Sequence, residues 1–290
     1  MPELPEVETI RRQLGRILVG QRLVRWSLDT PKMLRSASGG VERHLLRQRV
    51  TAVGRRAKLL VVSFTGGQSL LIHLKMTGQV IFQPVVGALK IGGHPIQHGA
   101  DHLPNKFTRA IFHFQSGSVM YFNDVRKFGY LRVVSTSALL EHFHDLHLGV
   151  EPLTRDFTLA RFEEFFRRYP RRLVYQLLMD QSLVAGLGNI YVNEVCFRAR
   201  VRPTLRSGNV TATERRALYD AIRNILPFAI RHKGTSLSDY RDAHGRRGGM
   251  EAYLRVYGRA QQSCVRRDGG VLKRVVIGGR SAVFCPVCQR

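Results

Sequence analysis

The sequence predicts an α+β chain with one N-terminal helix, a half built of antiparallel strands, a half built of helices, and a cysteine-bearing, hairpin-like end. Three observations carry that prediction. Apolar residues recur at helical spacing from Pro2 to Leu18; from about Arg22 to Val134 they fall in short alternating or β-branched runs; from Leu139 onward helical spacing returns. The 290 residues are enough for about two domains. The 44% apolar fraction fills real cores and excludes disorder throughout.

In the first helix Val7, Ile10, Leu14, Ile17 and Leu18 share one face, Pro5, Glu6 and Glu8 occupy the first turn, and Gly20 ends it. The strand-rich half contains Leu59 to Phe64, Ser69 to Leu74, Ala110 to Phe114, Val119 to Phe122 and Tyr130 to Val134. Turns at Thr65-Gly66-Gly67 and Ser116-Gly117 punctuate them like the hairpins of a sandwich or barrel. Gln83 to Lys106 is rich in Pro, Gly and His without a sustained period, and reads as a long surface loop. Its His94, His98 and His102 read as solvated, because Pro95 and Gly99 oppose a helix that would align them on a metal.

Helical spacing resumes at Leu139 to Leu146, at Leu159, Phe162, Phe165 and Phe166, and at Leu218, Ile222, Ile225 and Ala229. Thr211 and Glu214 have capping-box spacing before the last of these helices, and Pro227 is expected to kink it. These shifts predict a domain at 2–135, a linker at 136–152, a helical domain at 153–248 and a terminal hairpin region at 249–290.

Forty-six Lys and Arg against 21 Asp and Glu give a formal charge of +25, which recruits polyanions, nucleic acid first among them. No apolar run is long enough to cross a bilayer, and the start lacks the basic-then-apolar pattern of a secretory signal. The expectation is a soluble, cytoplasmic monomer without a membrane partner. Three of the four cysteines fall in the last 27 residues, and Cys285-Pro-Val-Cys288 aims two thiolates at one tetrahedral ion. Cys196, in an apolar stretch, reads as a buried structural thiol.

The small second residue permits removal of the initiator methionine, which would make Pro2 a free secondary amine. An α-amine titrates near pH 8, against about 10.4 for lysine, so an appreciable share is a neutral nucleophile. Condensed with a sugar C1′, a secondary amine gives an iminium that cannot lose its charge at nitrogen. Glu3 is placed to move a proton and Glu6 to orient the site. Taken alone, the same residues are simply good helix starters.

The run Met1-Pro-Glu-Leu-Pro-Glu-Val-Glu-Thr9 resembles the opening of bacterial formamidopyrimidine-DNA glycosylases. So do Gly54-Arg-Arg-Ala-Lys58, His73-Leu-Lys-Met-Thr-Gly78, Asn123-Asp-Val-Arg-Lys-Phe-Gly129, Leu148-Gly-Val-Glu-Pro-Leu153, Gly186-Leu-Gly-Asn-Ile-Tyr191, Val256-Tyr-Gly-Arg259 and Gly279-Arg280 to Gln289. The blocks occur in order along the whole chain. Leu4, where the related endonuclease VIII branch usually has glycine, favours the oxidised-purine branch.

The resemblance implies a two-layer antiparallel β-sandwich, a helix–two-turn–helix domain and a zinc-finger-like β-hairpin. It implies base excision repair of damaged double-stranded DNA by a bifunctional glycosylase and abasic-site lyase, acting on 8-oxoguanine and formamidopyrimidines through a Pro2 Schiff base and β,δ-elimination. Pro2, Glu3, Glu6, Lys58 and Arg280 become the catalytic set, with Lys58, Asn189 and Arg280 holding phosphates. Met76, Arg126 and Phe128 match the residues that fill the hole left by an everted base, although a Met and a Phe would ordinarily be core. His73, Lys127, Arg171 and Tyr257 match further DNA contacts, and Lys233 to Tyr240 resembles a loop that closes over the base.

The family's second cysteine pair is incomplete here, because Cys264 is present but Arg267 stands where its partner is expected. Either Cys264, Cys285 and Cys288 hold zinc with Asp268 as fourth ligand, or the hairpin is metal-free and kept by packing. Lys75, Phe107, Val125 and Tyr175 replace an expected glycine, histidine, proline and lysine, which points to weaker or altered DNA affinity with the chemistry intact. A non-catalytic damage-binding protein of the same fold, an RNA-associated basic protein and an oxidised-pyrimidine glycosylase are the alternatives. No nucleotide or redox cofactor motif is present.

Overall fold

A computed structural model describes residues 1–35, 41–93, 102–235 and 248–290. The chain forms two compact units, residues 1–146 with 232–251 and residues 147–231 with 252–290.

The first unit begins with α1 (Leu4–Leu18), whose buried face carries Leu4, Val7, Ile10, Leu14 and Leu18. Among the described residues nine strands follow: β1 (Leu23–Leu28), β2 (Val50–Arg56), β3 (Leu59–Phe64), β4 (Gln68–His73), β5 (Gly78–Gln83), β6 (Lys90–Gly93), β7 (Thr108–Phe114), β8 (Val119–Asp124) and β9 (Tyr130–Ser135). They make two antiparallel sheets, ordered β1-β7-β8-β5-β6 and β2-β3-β4-β9. Alternate residues of both, including Leu60, Val62, Leu70 and Ile72 from one and Val80, Phe82, Phe112 and Phe122 from the other, enter a single core with α1. This is the expected sandwich, with each fully buried large side chain contributing about 1.5–3 kcal/mol. A short helix, α2 (Leu139–Asp145), follows the second sheet.

The stretch read as a loop from Gln83 to Lys106 contains β6, which pairs with β5 from Phe82↔Lys90 to Gln79↔Gly93. A four-residue edge strand is held by backbone bonds on one side and needs no alternating pattern. Gly93, at φ +115°, passes so close to β5 that a Cβ would lie 2.5 Å from the Gly78 carbonyl oxygen. His102 is exposed; His94 and His98 lie outside the described residues.

The second unit contains α3 (Leu159–Arg168), α4 (Val174–Met179), α5 (Asn189–Arg198), α6 (Ala212–Arg231) and the hairpin of β10 (Lys273–Ile277) with β11 (Arg280–Phe284). Phe157, Phe162, Phe166 and Tyr219 stack around α3 and α6, and the Tyr219 hydroxyl donates to the Phe157 carbonyl at 2.9 Å. The capping box of α6 forms: Thr211 N–H donates to Glu214 at 2.8 Å, and Glu214 N–H donates to Thr211 Oγ1 at 3.2 Å. Pro227 does not end α6, because Ile225, Leu226, Ala229 and Ile230 stay buried on either side of it. In α5, residues 191–197 are all buried, and burial pushes the Cys196 thiol up to about 12, as an inert structural cysteine requires.

Candidate active site and DNA interface

The N-terminus of α1 gathers the predicted catalytic groups of the first unit. Pro2 is buried, and Glu3, Glu6 and Lys58 are 3%, 2% and 6% exposed. Met1 precedes Pro2 in the structure, so the Pro2 nitrogen is an amide and the free amine belongs to Met1. Burial holds that amine below its ordinary value; Glu3 and Glu6 oppose the shift and Lys58 adds to it. The N-terminal nitrogen therefore lies within the fields of two carboxylates and one ammonium.

Glu6 is the organiser of this cluster. One carboxylate oxygen accepts the Glu3 N–H at 2.9 Å, and the other accepts the Thr235 N–H at 2.8 Å. The neighbouring Gly234, at φ +76°, has no room for a side chain, since a Cβ would sit 2.6 Å from Glu6 Oε1. The backbone at Thr235 is thus tied to α1; Ser236 to Tyr240 lie outside the described residues. Lys58 is placed by the β2–β3 turn. Arg55 donates to the Ala57 carbonyl at 2.8 Å and to Glu8 at 3.2 Å, and Ala57 takes φ +51°. Glu8, which also binds Arg11 and Arg12, has a structural role that sequence reasoning missed.

His73 ends β4. Its Nδ1 accepts the Lys75 N–H at 3.0 Å, so in the neutral ring Nε2 carries the proton. Burial, then Lys75, Lys58 and Arg35, hold the imidazole down to about 3, so it is neutral at physiological pH. Lys75, in place of the expected glycine, adopts φ +48° and puts its ammonium 5.9 Å from the Tyr130 ring centre.

Met76 and Phe128 are 45% and 48% exposed, against the ordinary tendency of their residue types. Arg126 joins them: its guanidinium reaches Met76 Sδ at 3.5 Å and lies 4.6 Å from the Phe128 ring centre. Lys127 is exposed between them at φ +55°. Asp124, which sequence reasoning passed over, holds this turn. Fully buried at the end of β8, it accepts from the Thr77 hydroxyl, from Arg126 N–H at 3.3 Å and from Gly129 N–H at 2.6 Å. The only signal was an acid beside a run ending in glycine. Phe107, where a histidine is expected, has the Lys106 ammonium 5.2 Å from its ring centre.

In the second unit Asn189 is the first residue of α5, directly after Gly188. Arg171 is exposed just before α4, and Arg280 is exposed at the start of β11. The turn before Arg280 is Gly278-Gly279 with φ +56° and +75°, the two-residue geometry that sets Ile277 opposite Arg280. Tyr257 is half-buried, and its backbone is fixed by Glu194, another residue unread in the sequence. The Glu194 carboxylate accepts the N–H groups of Arg255, Val256 and Tyr257 at 2.9–3.1 Å.

The donor atoms of Cys264, Asp268, Cys285 and Cys288 all lie within 4.8 Å of one another. Cys264 Sγ and Cys288 Sγ are 3.9 Å apart, and Cys285 Sγ is 3.4 Å from Asp268. Those spacings match the edges of a tetrahedron around zinc, which are about 3.8 Å for sulfur pairs. The missing cysteine is bypassed because Arg267 turns at φ +55°, and the next residue, Asp268, faces the thiols. Arg266 donates to Cys288 Sγ at 3.0 Å, a fixed positive charge beside the sulfur.

Family models agree with this architecture. The formamidopyrimidine-DNA glycosylase N-terminal domain matches residues 1–131, and the formamidopyrimidine-DNA glycosylase H2TH domain matches 148–241. The formamidopyrimidine-DNA glycosylase of Heliobacterium modesticaldum is 38% identical over 291 residues, covering all of both chains, and that of Streptococcus pneumoniae is 35% identical over 290. Among solved structures, a Lactococcus lactis Fpg mutant in complex with a Fapy-dG containing DNA shares 32% identity at a TM-score of 0.88 over both full chains. The L. lactis enzyme with an abasic site containing DNA shares 31% at 0.87, over 99% of each. On the strength of its two matched domains and its full-length relatives, the chain belongs to the formamidopyrimidine-DNA glycosylase family.

Proposed function

We propose that this protein excises oxidised purines, 8-oxoguanine and formamidopyrimidines, from damaged duplex DNA and then cleaves the abasic strand. The observation that carries this reading is the N-terminal nitrogen held among buried Glu3, Glu6 and Lys58 with its proton affinity lowered. Once Met1 is removed, the Pro2 nitrogen takes up the role of free amine beside the same three charges.

The neutral Pro2 amine attacks C1′ and the bond from C1′ to the base breaks. The base leaves with the bonding pair and takes up the proton released by the amine, and Glu3 supplies a proton to O4′ as the sugar ring opens, leaving a positively charged iminium. That charge acidifies the C2′ hydrogen; its loss expels the 3′ phosphate, and a second elimination along the conjugated chain expels the 5′ phosphate. Lys58, neutral His73, Asn189 and Arg280 hold phosphates, with Lys127, Arg171 and Tyr257 as further contacts. Met76, Arg126 and Phe128 fill the space of the everted base, two as wedges and one as a donor to the orphaned partner.

Cys264, Asp268, Cys285 and Cys288 would hold zinc, which when bound secures the hairpin that presents Arg280. The activity belongs with DNA in the bacterial cytoplasm. Borohydride reduction during reaction with an abasic duplex tests the whole reading. A covalent adduct mapped by mass spectrometry to Pro2 is expected; tight binding to damaged duplex without an adduct would instead assign a non-catalytic damage-binding protein.

A further inference from the structure

We infer that Tyr175 is a positioning residue for DNA binding, fixing the Asn189 amide with its NH2 group outward. The inference rests on the proposed phosphate contact of Asn189. Tyr175 replaces a lysine expected by family resemblance, and taken as a sequence change it reads as a lost cationic contact. The structure places it otherwise. Its side chain is 2% exposed on α4, out of reach of a phosphate, and its hydroxyl donates to Asn189 Oδ1 at 2.7 Å.

A second donor meets the same oxygen. Asn193 Nδ2, one helical turn along α5, donates to Asn189 Oδ1 at 2.9 Å and to the Asn189 carbonyl at 2.6 Å. Asn193 is itself held in one orientation, because its Oδ1 accepts the Val283 N–H of β11 at 2.5 Å. With Asn193 pinned, a flipped Asn189 would set NH2 against NH2. Asn193 therefore sets which way the Asn189 amide faces, and the Tyr175 hydroxyl, donating to the same oxygen, locks the side chain in that position with its NH2 group left to face a ligand.

An amide free to flip offers a phosphate its oxygen as often as its NH2, and oxygen facing phosphate is repulsive. Holding one orientation removes that wasted population and the entropy of selecting it on binding. Tyr175 thus works through geometry where a lysine would work through charge. It contributes no cation, so its effect on affinity is independent of salt.

The test uses a duplex carrying a tetrahydrofuran abasic analogue, with affinity measured by fluorescence anisotropy for the parent, Tyr175→Phe, Asn189→Ala and the double variant. Tyr175→Phe keeps the buried ring and loses only the hydroxyl. It is expected to weaken binding about threefold to tenfold at every salt concentration, with the slope of log Kd against log salt unchanged. Asn189→Ala weakens binding more, and adding Tyr175→Phe to it has no further effect. Parental affinity in Tyr175→Phe alongside a loss in Asn189→Ala overturns the inference and leaves the proposed DNA contact standing. An equal loss in both backgrounds also overturns it, by showing that the hydroxyl acts elsewhere. Parental affinity in Asn189→Ala overturns the DNA contact and the inference together.

Discussion

Glu6 and Thr235 are joined by a 2.8 Å hydrogen bond across 229 positions of sequence, from the carboxylate to the backbone N–H. The same carboxylate caps the helix that follows Pro2, so one buried acid fixes both the start of α1 and the backbone at Thr235. Glu6→Gln keeps one acceptor and turns the other into a donor, leaving a buried N–H unmatched. It is expected to cost about 1–3 kcal/mol in urea unfolding and to slow borohydride trapping, whereas a change at an exposed acid such as Glu164→Gln does neither.

The pH dependence of trapping reports on the N-terminal amine. Its neutral form reacts, so the rate is full above the amine's pKa and falls about tenfold for each pH unit below it. For the Met1 amine of the unprocessed chain, burial lowers the pKa, Glu3 and Glu6 oppose the shift and Lys58 adds to it, and the Pro2 amine exposed by processing is expected to feel the same Lys58 charge. Lys58→Gln is therefore expected to move the rising limb to higher pH in single-turnover trapping, in addition to weakening the complex.

His73 makes stability pH-dependent in a defined window. Its folded value of about 3 lies far below the ordinary histidine value of 6.5, so the unfolded chain binds the extra proton. The contribution is complete above about pH 6.5 and declines by about 1.4 kcal/mol per unit as pH falls toward 3. Urea unfolding at pH 7 and at pH 5 checks this; His73→Gln should narrow the difference between the two.

Met76, Arg126 and Phe128 separate binding from folding. All three are exposed, so Phe128→Ala is expected to change stability by no more than about 0.5 kcal/mol. Loss of a stacking wedge costs about 1–3 kcal/mol in binding, roughly tenfold or more in Kd for an abasic duplex. Anisotropy and thermal melting on the same protein provide both numbers.

The cysteine cluster predicts one zinc per chain by elemental analysis of purified protein. Asp268→Ala is expected to release metal to a chromogenic chelator faster than the parent, and Asp268→Cys at a parental rate or slower. Full retention in Asp268→Ala would remove the carboxylate from the ligand set.

β3, β4, β7, β8 and β9 were legible as short apolar or β-branched runs, and α1, α3 and α6 because each buries one face and repeats apolar residues at helical spacing. β6 was not, since an edge strand of four residues is secured by backbone bonds that leave no side-chain pattern. α4 was missed for a related reason: six residues make too few turns to show a period. At the candidate site, Pro2 and Glu3 suggested an amine and a proton carrier but gained that reading, like Lys58, only through the family resemblance. Met76 and Phe128 were legible only through motif context, because their residue types point to burial while their positions are exposed. Asp124 and Glu194 were not singled out, since each organises backbone N–H groups and no spacing in sequence marks which amides a carboxylate will meet.

Helix α5 has a consequence for the order of assembly. Asn193 holds β11 and Glu194 holds residues 255–257, and the helix is apolar on the remaining sides. Residues 147–231 therefore lack the lining of their own core until the stretch from 252 has been synthesised, after the intervening segment has joined the other unit. Completion of this half therefore waits for the last residues of the chain, and a chain ending before residue 252 is expected to expose the apolar sides of α5 to protease.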